Sequence, residues 1–403
     1  MTQTDSSADS QMLLAVPTKA ARKAAASTVA ALLSRTDCAD IVRVGIPRAL
    51  LYYRYGVLWT TFFEQLGREV VVSDISDKDT FDAGERISVD ECCLASKLYL
   101  GHVQSLIGAC DAVFVPSLAN KGHRKGFCTK YQSLPDLVAN TFYDRELRIV
   151  SLLVNETEEK IDEKSAFIAL GQRFGVSAAD AKRAYRAAFS AQQRADRVAA
   201  RAQERLMARL DQERKHAQDQ KPDRDRTVEQ APASAPRSGA PSMEPPIDGQ
   251  LVAARPSQVR HEAPLAILLV AHPYVAHDPF VNGGVVDVLE SMGASVLYAD
   301  QTDHGKALHE SFEFSETLPW IVNRELVGSV TLLHAHVDGI VLVSAFPCGP
   351  DSMTNDAVAR CIQGKPILSL IVDAQSGTAG LETRIESFID ILRYQQRGGY
   401  LHG

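Results

Sequence analysis

Ile-Val-Arg-Val-Gly-Ile (41–46), the apolar positions Ala49, Leu50, Tyr53, Val57, Phe62 and Leu66, and Glu-Val-Val-Val (69–72) form the stretch that decides the fold. The first run is short and β-branched, and it predicts a buried strand. Pro47 suits a first helical position, where a missing N–H costs nothing. The apolar residues that follow are spaced to build one helical face, and Gly67 stops it. Glu69 to Val72 resumes as strand. Strand, helix and strand in this order predict a parallel sheet with helices on both faces.

The same alternation extends outward. Cys93 to Ile107 has a helical pattern, and Ala112 to Val115 and Arg148 to Leu153 read as strands. A second unit opens at Pro264, with strands over Leu265–Ala271, Ala294–Tyr298, Val337–Ser344 and Pro366–Val372. Helices are expected over Gly283–Met292, Thr354–Ile362 and Thr383–Leu392. Between the units, Thr157 to about Gln218 is rich in good helix formers. Ser177-Ala-Ala-Asp180 resembles a helix start, with Asp in place of the usual Glu or Gln of a capping box. Its basic residues alternate with Glu and Asp, as on a solvated face. From Asp219 to Glu262 the chain turns to Pro, Ala, Ser, Gln and alternating charge, the composition of a disordered linker. The expected division is a disordered tip and short helix (1–40), an α/β unit (41–156), a helical segment (157–218), the linker (219–262) and a second α/β unit (263–403).

Composition limits the function classes. The 403 residues, 45% hydrophobic and 23% charged, fit a globular protein of two domains plus appendages. A net charge of -7, without an RNA- or DNA-binding signature, argues against nucleic acid as partner. No apolar run approaches the roughly 20 residues that span a bilayer. The polar N-terminus makes a poor signal peptide, so a cytoplasmic protein is expected. Seven cysteines without regular spacing do not suggest a secreted disulfide framework.

Three of those cysteines carry the chemistry. Cys93, Cys128 and Cys348 each sit in a loop leading into an expected helix. There the unpaired amides and the dipole favour a thiolate, the form that iron–sulfur clusters bind. Three ligands rather than four leave one iron open. Cys348 follows a buried strand and should sit at its carboxyl end, where open α/β sheets place ligands. A buried cysteine filling a tight turn is the plainer alternative. Cys92 and Cys93 are adjacent and cannot readily serve one iron, and Cys93 is the better placed. Cys38, Cys92, Cys110 and Cys361 read as structural, Cys361 on an apolar helical face. Arg48 at a helix start, and His272 and Tyr274 in the turn after the Leu265 strand, are candidate cleft-lining residues. No P-loop and no Gly-x-Gly-x-x-Gly turn is present.

Several longer motifs occur in order: Gly-Ile-Pro-Arg-Ala-Leu-Leu-Tyr-Tyr-Arg-Tyr-Gly (45–56), Leu-Trp-Thr-Thr-Phe-Phe-Glu-Gln-Leu-Gly (58–67) and Ser-Val-Asp-Glu-Cys-Cys (88–93). Val-Asp-Gly-Ile (337–340), Phe-Pro-Cys-Gly-Pro-Asp-Ser (346–352) and Gly-Leu-Glu-Thr-Arg (380–384) follow. Together they resemble the acyl-CoA dehydratase activase-related family, which is similar to the cluster-bearing subunits of 2-hydroxyacyl-CoA dehydratases. The resemblance implies two Rossmann-like units with a 4Fe–4S cluster held by Cys93, Cys128 and Cys348 in the cleft between them. It also implies a separate activator ATPase that delivers low-potential electrons, and an acyl-CoA or other small-molecule substrate for radical dehydration or reduction. The alternative is a non-catalytic accessory protein that binds a cluster or zinc and docks on the ATPase; three cysteines favour iron, since structural zinc prefers four protein ligands. In Asp373-Ala-Gln-Ser-Gly-Thr-Ala-Gly380 the His and both Glu of the family's usual Asp-Glu-His-Thr-Gly-Glu-Ala-Gly are missing, which puts their acid–base or substrate roles in question.

Overall fold

The computed structural model describes residues 38–219, 264–373 and 378–396. The expected N-terminal helix, and all but the first residue of the expected linker, lie outside these residues.

The first half contains β1 (Arg43–Ile46), β2 (Glu69–Val72), β3 (Ala112–Phe114), β4 (Ser117–Asn120), β5 (Ile149–Val150) and β6 (Leu153–Asn155). Four of them form a parallel sheet in the order β2-β1-β3-β5, with Val44 paired to Val70 on one side and Ala112 on the other. The expected strand at 148–153 is thus two short ones. β5 ends that sheet, and β6 pairs with β4 in a separate two-stranded ladder.

The second half holds β7 (Leu265–Val270), β8 (Ala294–Tyr298), β9 (Gly339–Ala345) and β10 (Ile367–Val372), in the order β8-β7-β9-β10, again all parallel. Every residue of β7 and β9 is buried, because helices cover both faces. The two sheets share one topology. In each, the first strand is internal, the second flanks it on one side, and the next two extend the other. Strand order therefore reverses beside β1 and beside β7, the positions where open α/β sheets leave a crevice at their carboxyl ends.

A 42-residue helix, Ala178–Asp219, lies across both halves. Its start has the expected Ser177 cap, since the Asp180 N–H donates to Ser177 Oγ (3.1 Å), but the second bond runs from that hydroxyl to Asp180 Oδ2 (2.6 Å) and not from the cap N–H as in a capping box. Along its length Gln192 Oε1 accepts from the Leu58 N–H (3.0 Å) and Gln203 Oε1 from the Tyr298 N–H (2.7 Å). Arg214 pairs with Asp338 and donates to the His336 carbonyl at 2.8 Å. The helix's Tyr185 hydroxyl donates to Glu163, which pairs with Lys121, and its Asp196 lies 3.6 Å from Arg54.

Two helices escape the sequence pattern, His304–Phe314 and Ile321–Leu333. They cross so closely that a Cβ on Gly328 would lie 1.7 Å from the Ala307 carbonyl oxygen. Gly84 makes an equivalent approach to Lys97, between the Lys78–Ile87 helix and the Leu94–Leu106 helix. Since the obstacle is backbone, Gly328→Ala must push the helices apart. It should lower stability by about 1–3 kcal/mol or more in urea denaturation. An unchanged midpoint would show that the crossing is looser than described.

The helix after β9 starts at Gly349, not Thr354, so Cys348 is its cap residue. Pro350 occupies its first turn, where proline is tolerated, and extends the element back to the cysteine.

Candidate functional site: a thiol-lined cavity

Each of the three singled-out cysteines is the residue immediately before a helix. Cys93 precedes Leu94–Leu106, Cys128 precedes Thr129–Gln132, and Cys348 precedes Gly349–Cys361. Although 220 residues separate the last two in sequence, all three line one cavity. It holds about 500 Å³ free of protein atoms, part of it open to solvent. His272 and Tyr274, which follow β7, line it too. The cavity thus sits at the carboxyl ends of strands from both sheets.

Contacts between the halves fix this convergence. The Leu94 N–H donates to the Phe346 carbonyl at 3.0 Å, tying the cap at Cys93 to the segment before Cys348, where the Phe346–Pro347 peptide is cis. The loop before Cys128 is held by the Gly126 N–H on the Pro319 carbonyl (2.8 Å) and the Ile321 N–H on the Gly126 carbonyl (2.7 Å). Arg324, fully buried, donates to the carbonyls of Arg124 (3.0 Å), Ser315 (3.0 Å) and Glu316 (2.9 Å). Burial pushes its pKa down, since no carboxylate faces it, yet its hydrogen bonds join residues 124 and 315–316.

Helical spacing returns the residue three positions on toward each thiol. Ser96 Oγ lies 3.2 Å from Cys93 Sγ. Tyr131 is buried against the cavity, and burial, with the Cys128, Cys348 and Cys93 sulfurs, drives its hydroxyl well above the usual range. Burial and then the Asp351 carboxylate raise the Cys348 thiol above its ordinary pKa. The helix-start expectation of a more acidic thiol is therefore not met at Cys348. Desolvation and a nearby carboxylate outweigh the dipole.

His272 is 5% exposed and Asp351 3%. The His272 Nε2 lies 3.0 Å from Asp351 Oδ1 and 3.3 Å from Asn323 Oδ1, while Asn323 Nδ2 donates to Asp351 Oδ1 at 2.9 Å. Burial lowers the imidazole's pKa, but the Asp351 charge outweighs it, and the net shift is upward. The Asp351 carboxyl, whose burial alone would raise it, is held below its usual value by His272 first.

Arg48 stands apart. Its guanidinium Nε donates to the Ser73 carbonyl at 3.1 Å, and it does not border the cavity. Beside it, Ser73, His102, Ser76, Asp278 and Tyr53 form a buried polar chain between the halves. Burial pushes His102 down to about 4, so it is neutral there. Among the other cysteines, Cys92 is buried and packs beside Lys130, and Cys110 Sγ donates to the Leu106 carbonyl at 3.3 Å. Cys361 is exposed as the last residue of its helix, not on an apolar face.

The donor set is soft. Among the described residues lining the cavity are three thiols and an imidazole but no carboxylate, which disfavours a hard oxygen-liganded cation. No group of three or more His, Cys, Asp or Glu side chains among the described residues is arranged to hold a metal ion. All three thiols nevertheless line the same cavity.

Asn323, Asp351 and Tyr131 were not singled out from the sequence. The available signal was their spacing, three residues after a cap cysteine for Tyr131 and Asp351; nothing marked Asn323.

Fold and cavity define a class: paired parallel α/β units whose carboxyl ends share a cysteine-lined cleft. Residues 43–301 match the CoA enzyme activase uncharacterised domain (DUF2229), and the chain belongs to that family. Among curated proteins none matches it. No helix among the described residues is long and apolar enough to cross a membrane.

Proposed function

We propose that the chain is an iron–sulfur component of a CoA-enzyme activase system, with Cys93, Cys128 and Cys348 holding a 4Fe–4S cluster. It would receive low-potential electrons from a separate ATP-dependent activator and use them for dehydration or reduction of a small substrate. The observation that carries this reading is the meeting of three cap cysteines, from distant parts of the chain, around one carboxylate-free cavity. Membership of the activase family supports it. Cubane irons each take their own thiolate, so the sulfurs of such a site surround a space. A lone zinc instead draws its ligands to within about 2.0–2.3 Å of one point.

Bound there, the cluster would supply single-electron transfer. The chain's own groups prepare the cavity for it. Burial first, then the thiol charges, keep the Tyr131 and Tyr274 hydroxyls protonated, so neither adds negative charge. Lys130 borders the cavity, with its ammonium 4.0 Å from Cys92 Sγ. The raised Cys348 thiol must lose its proton on ligation, so iron uptake releases protons.

Two outcomes test this assignment. The pure chain should show no ATP hydrolysis, since it carries no phosphate-binding loop. Hydrolysis abolished by a point substitution in the chain would reveal a nucleotide site and remove the need for a separate activator. Anaerobically reconstituted protein should accept electrons from a low-potential reductant such as titanium(III) citrate and develop a paramagnetic signal. A protein that binds iron but stays silent under such reduction would not be an electron acceptor.

A further inference from the structure

We propose that His272 is a fourth protein ligand of the cluster, bound through Nδ1, so that the group is closed by three thiolates and one imidazole. This rests on the iron–sulfur reading above and deepens it.

The geometry of one buried ring carries the inference. His272 borders the same cavity as Cys93, Cys128 and Cys348. The Asn323 amide is oriented by its own bond, since Nδ2 donates to Asp351 Oδ1 at 2.9 Å and its oxygen is therefore the atom turned toward His272. Both neighbours of Nε2, Asp351 Oδ1 at 3.0 Å and Asn323 Oδ1 at 3.3 Å, are then acceptors. They hold a proton on Nε2 and leave Nδ1 to present its lone pair in the neutral tautomer.

Nδ1 is buried and has no hydrogen-bond partner among the described residues. A polar atom left in that condition is destabilising unless something binds it. A carboxylate holding one ring N–H while the other nitrogen stands bare is the arrangement found around metal-ligating histidines, where the outer partner fixes tautomer and orientation. Here that outer partner is on the helix capped by Cys348 itself, three residues further on. Ligand and support are therefore built on the same turn.

The consequence concerns what the cluster does. With only three thiolates, one iron stays open to a substrate oxygen. With His272 as a ligand, no iron would be left open to a substrate, and the cluster would supply electron transfer alone, so any small substrate would be bound by other groups. Exchange of a thiolate for a neutral imidazole also raises the reduction potential, as histidine ligation does in other clusters.

The test uses full-length protein labelled with 15N-histidine, reconstituted anaerobically, reduced and studied by pulsed EPR. The expected result is a strongly coupled histidine nitrogen in the wild type that disappears in His272→Cys. That variant should retain its iron through the new thiolate and show a lower midpoint potential. His272→Ala should lose iron to a chelator at least about tenfold faster than wild type. A reconstituted wild type with its full iron but no coupled nitrogen would overturn the histidine assignment and leave the three-cysteine reading standing. A wild type that takes up no iron would remove both. Because the labelled wild type alone decides the point, a variant that fails to fold does not rescue the proposal.

Discussion

Cys93→Ser, Cys128→Ser and Cys348→Ser should each lose most of the iron after anaerobic reconstitution, whereas Cys92→Ser, Cys110→Ser and Cys361→Ser should keep it. Serine offers a hydroxyl or hard alkoxide where a soft thiolate is needed, and the cavity lining contains no fourth cysteine to substitute. Cys92 and Cys93 share a loop and differ in where they lead: Cys92 is buried beside Lys130, while Cys93 borders the cavity next to Ser96. Cys92→Ser should therefore cost only the burial of a hydroxyl in an apolar surrounding. Exposed Cys361 should tolerate the same change without measurable loss. Iron content per folded chain is the readout, with circular dichroism to verify folding. If Cys92→Ser empties the site and Cys93→Ser does not, the ligand assignment is wrong by one residue. If none of the six changes matters, the thiols are packing residues.

The second large effect is expected at residues that do not line the cavity. Glu325 is buried on the Ile321–Leu333 helix, 3.4 Å from Arg54 and 3.4 Å from His304 Nδ1. Arg54 also reaches Asp196 on the long helix at 3.6 Å, so one guanidinium joins both halves and the strap across them. Burial alone would raise the Glu325 carboxyl. Arg54 first, then His304, outweigh it and hold the pKa down to about 2. Removing one partner leaves the other buried and uncompensated. Glu325→Gln and Arg54→Met should each cost about 3–5 kcal/mol in urea denaturation. The double variant Arg54→Met/Glu325→Leu should cost less than the sum of the singles, because no lone charge remains between them.

The pH dependence has a definite sign. A carboxyl depressed in the folded state stabilises fully above its unfolded pKa of about 4.3, and that contribution disappears as pH falls through about 2. The difference corresponds to about 3 kcal/mol. Wild type should therefore lose stability more steeply than Glu325→Gln between pH 4 and pH 2. Parallel curves would show that Glu325 is not held as described.

Much of this architecture is legible in the residues. Glu69–Val72 and Ala294–Tyr298 are strands with the expected ends, since short β-branched runs between helical stretches have few other ways to be buried. The placement of Cys93 and Cys348 before helices is legible for a related reason: the residues after Cys93 are periodic, and Pro350, two after Cys348, suits a first helical turn, whereas the four-residue helix after Cys128 is too short to show a period. The Ile321–Leu333 helix is not legible. Eleven of its thirteen residues are buried, Arg324 and Glu325 among them, so it has no polar face to give a helical period. Residues of that charge normally mark the surface. The Arg124, Ser315 and Glu316 carbonyls and the Ser311 hydroxyl for Arg324, and the Arg54 guanidinium and His304 for Glu325, explain why they are inside.

The candidate site divides along the same line. Thiols announce themselves by residue type, whereas the His272–Asp351–Asn323 contact joins three elements separated by 28 to 79 positions, and no local pattern encodes it. Arg48 illustrates the converse. Its helix-start position makes it a candidate to line the cleft, but the Ser73 hydroxyl and carbonyl occupy its backbone N–H and guanidinium Nε.

The central claim is that the thiol-lined cavity holds an iron–sulfur cluster, and anaerobic purification with iron and acid-labile sulfide analysis tests it most directly. A 4Fe–4S assignment predicts about four irons and four sulfides per chain, with an EPR signal appearing on reduction and vanishing in Cys348→Ser. Anaerobically isolated and reconstituted protein that contains no iron or sulfide, or carries one zinc in their place, would contradict it.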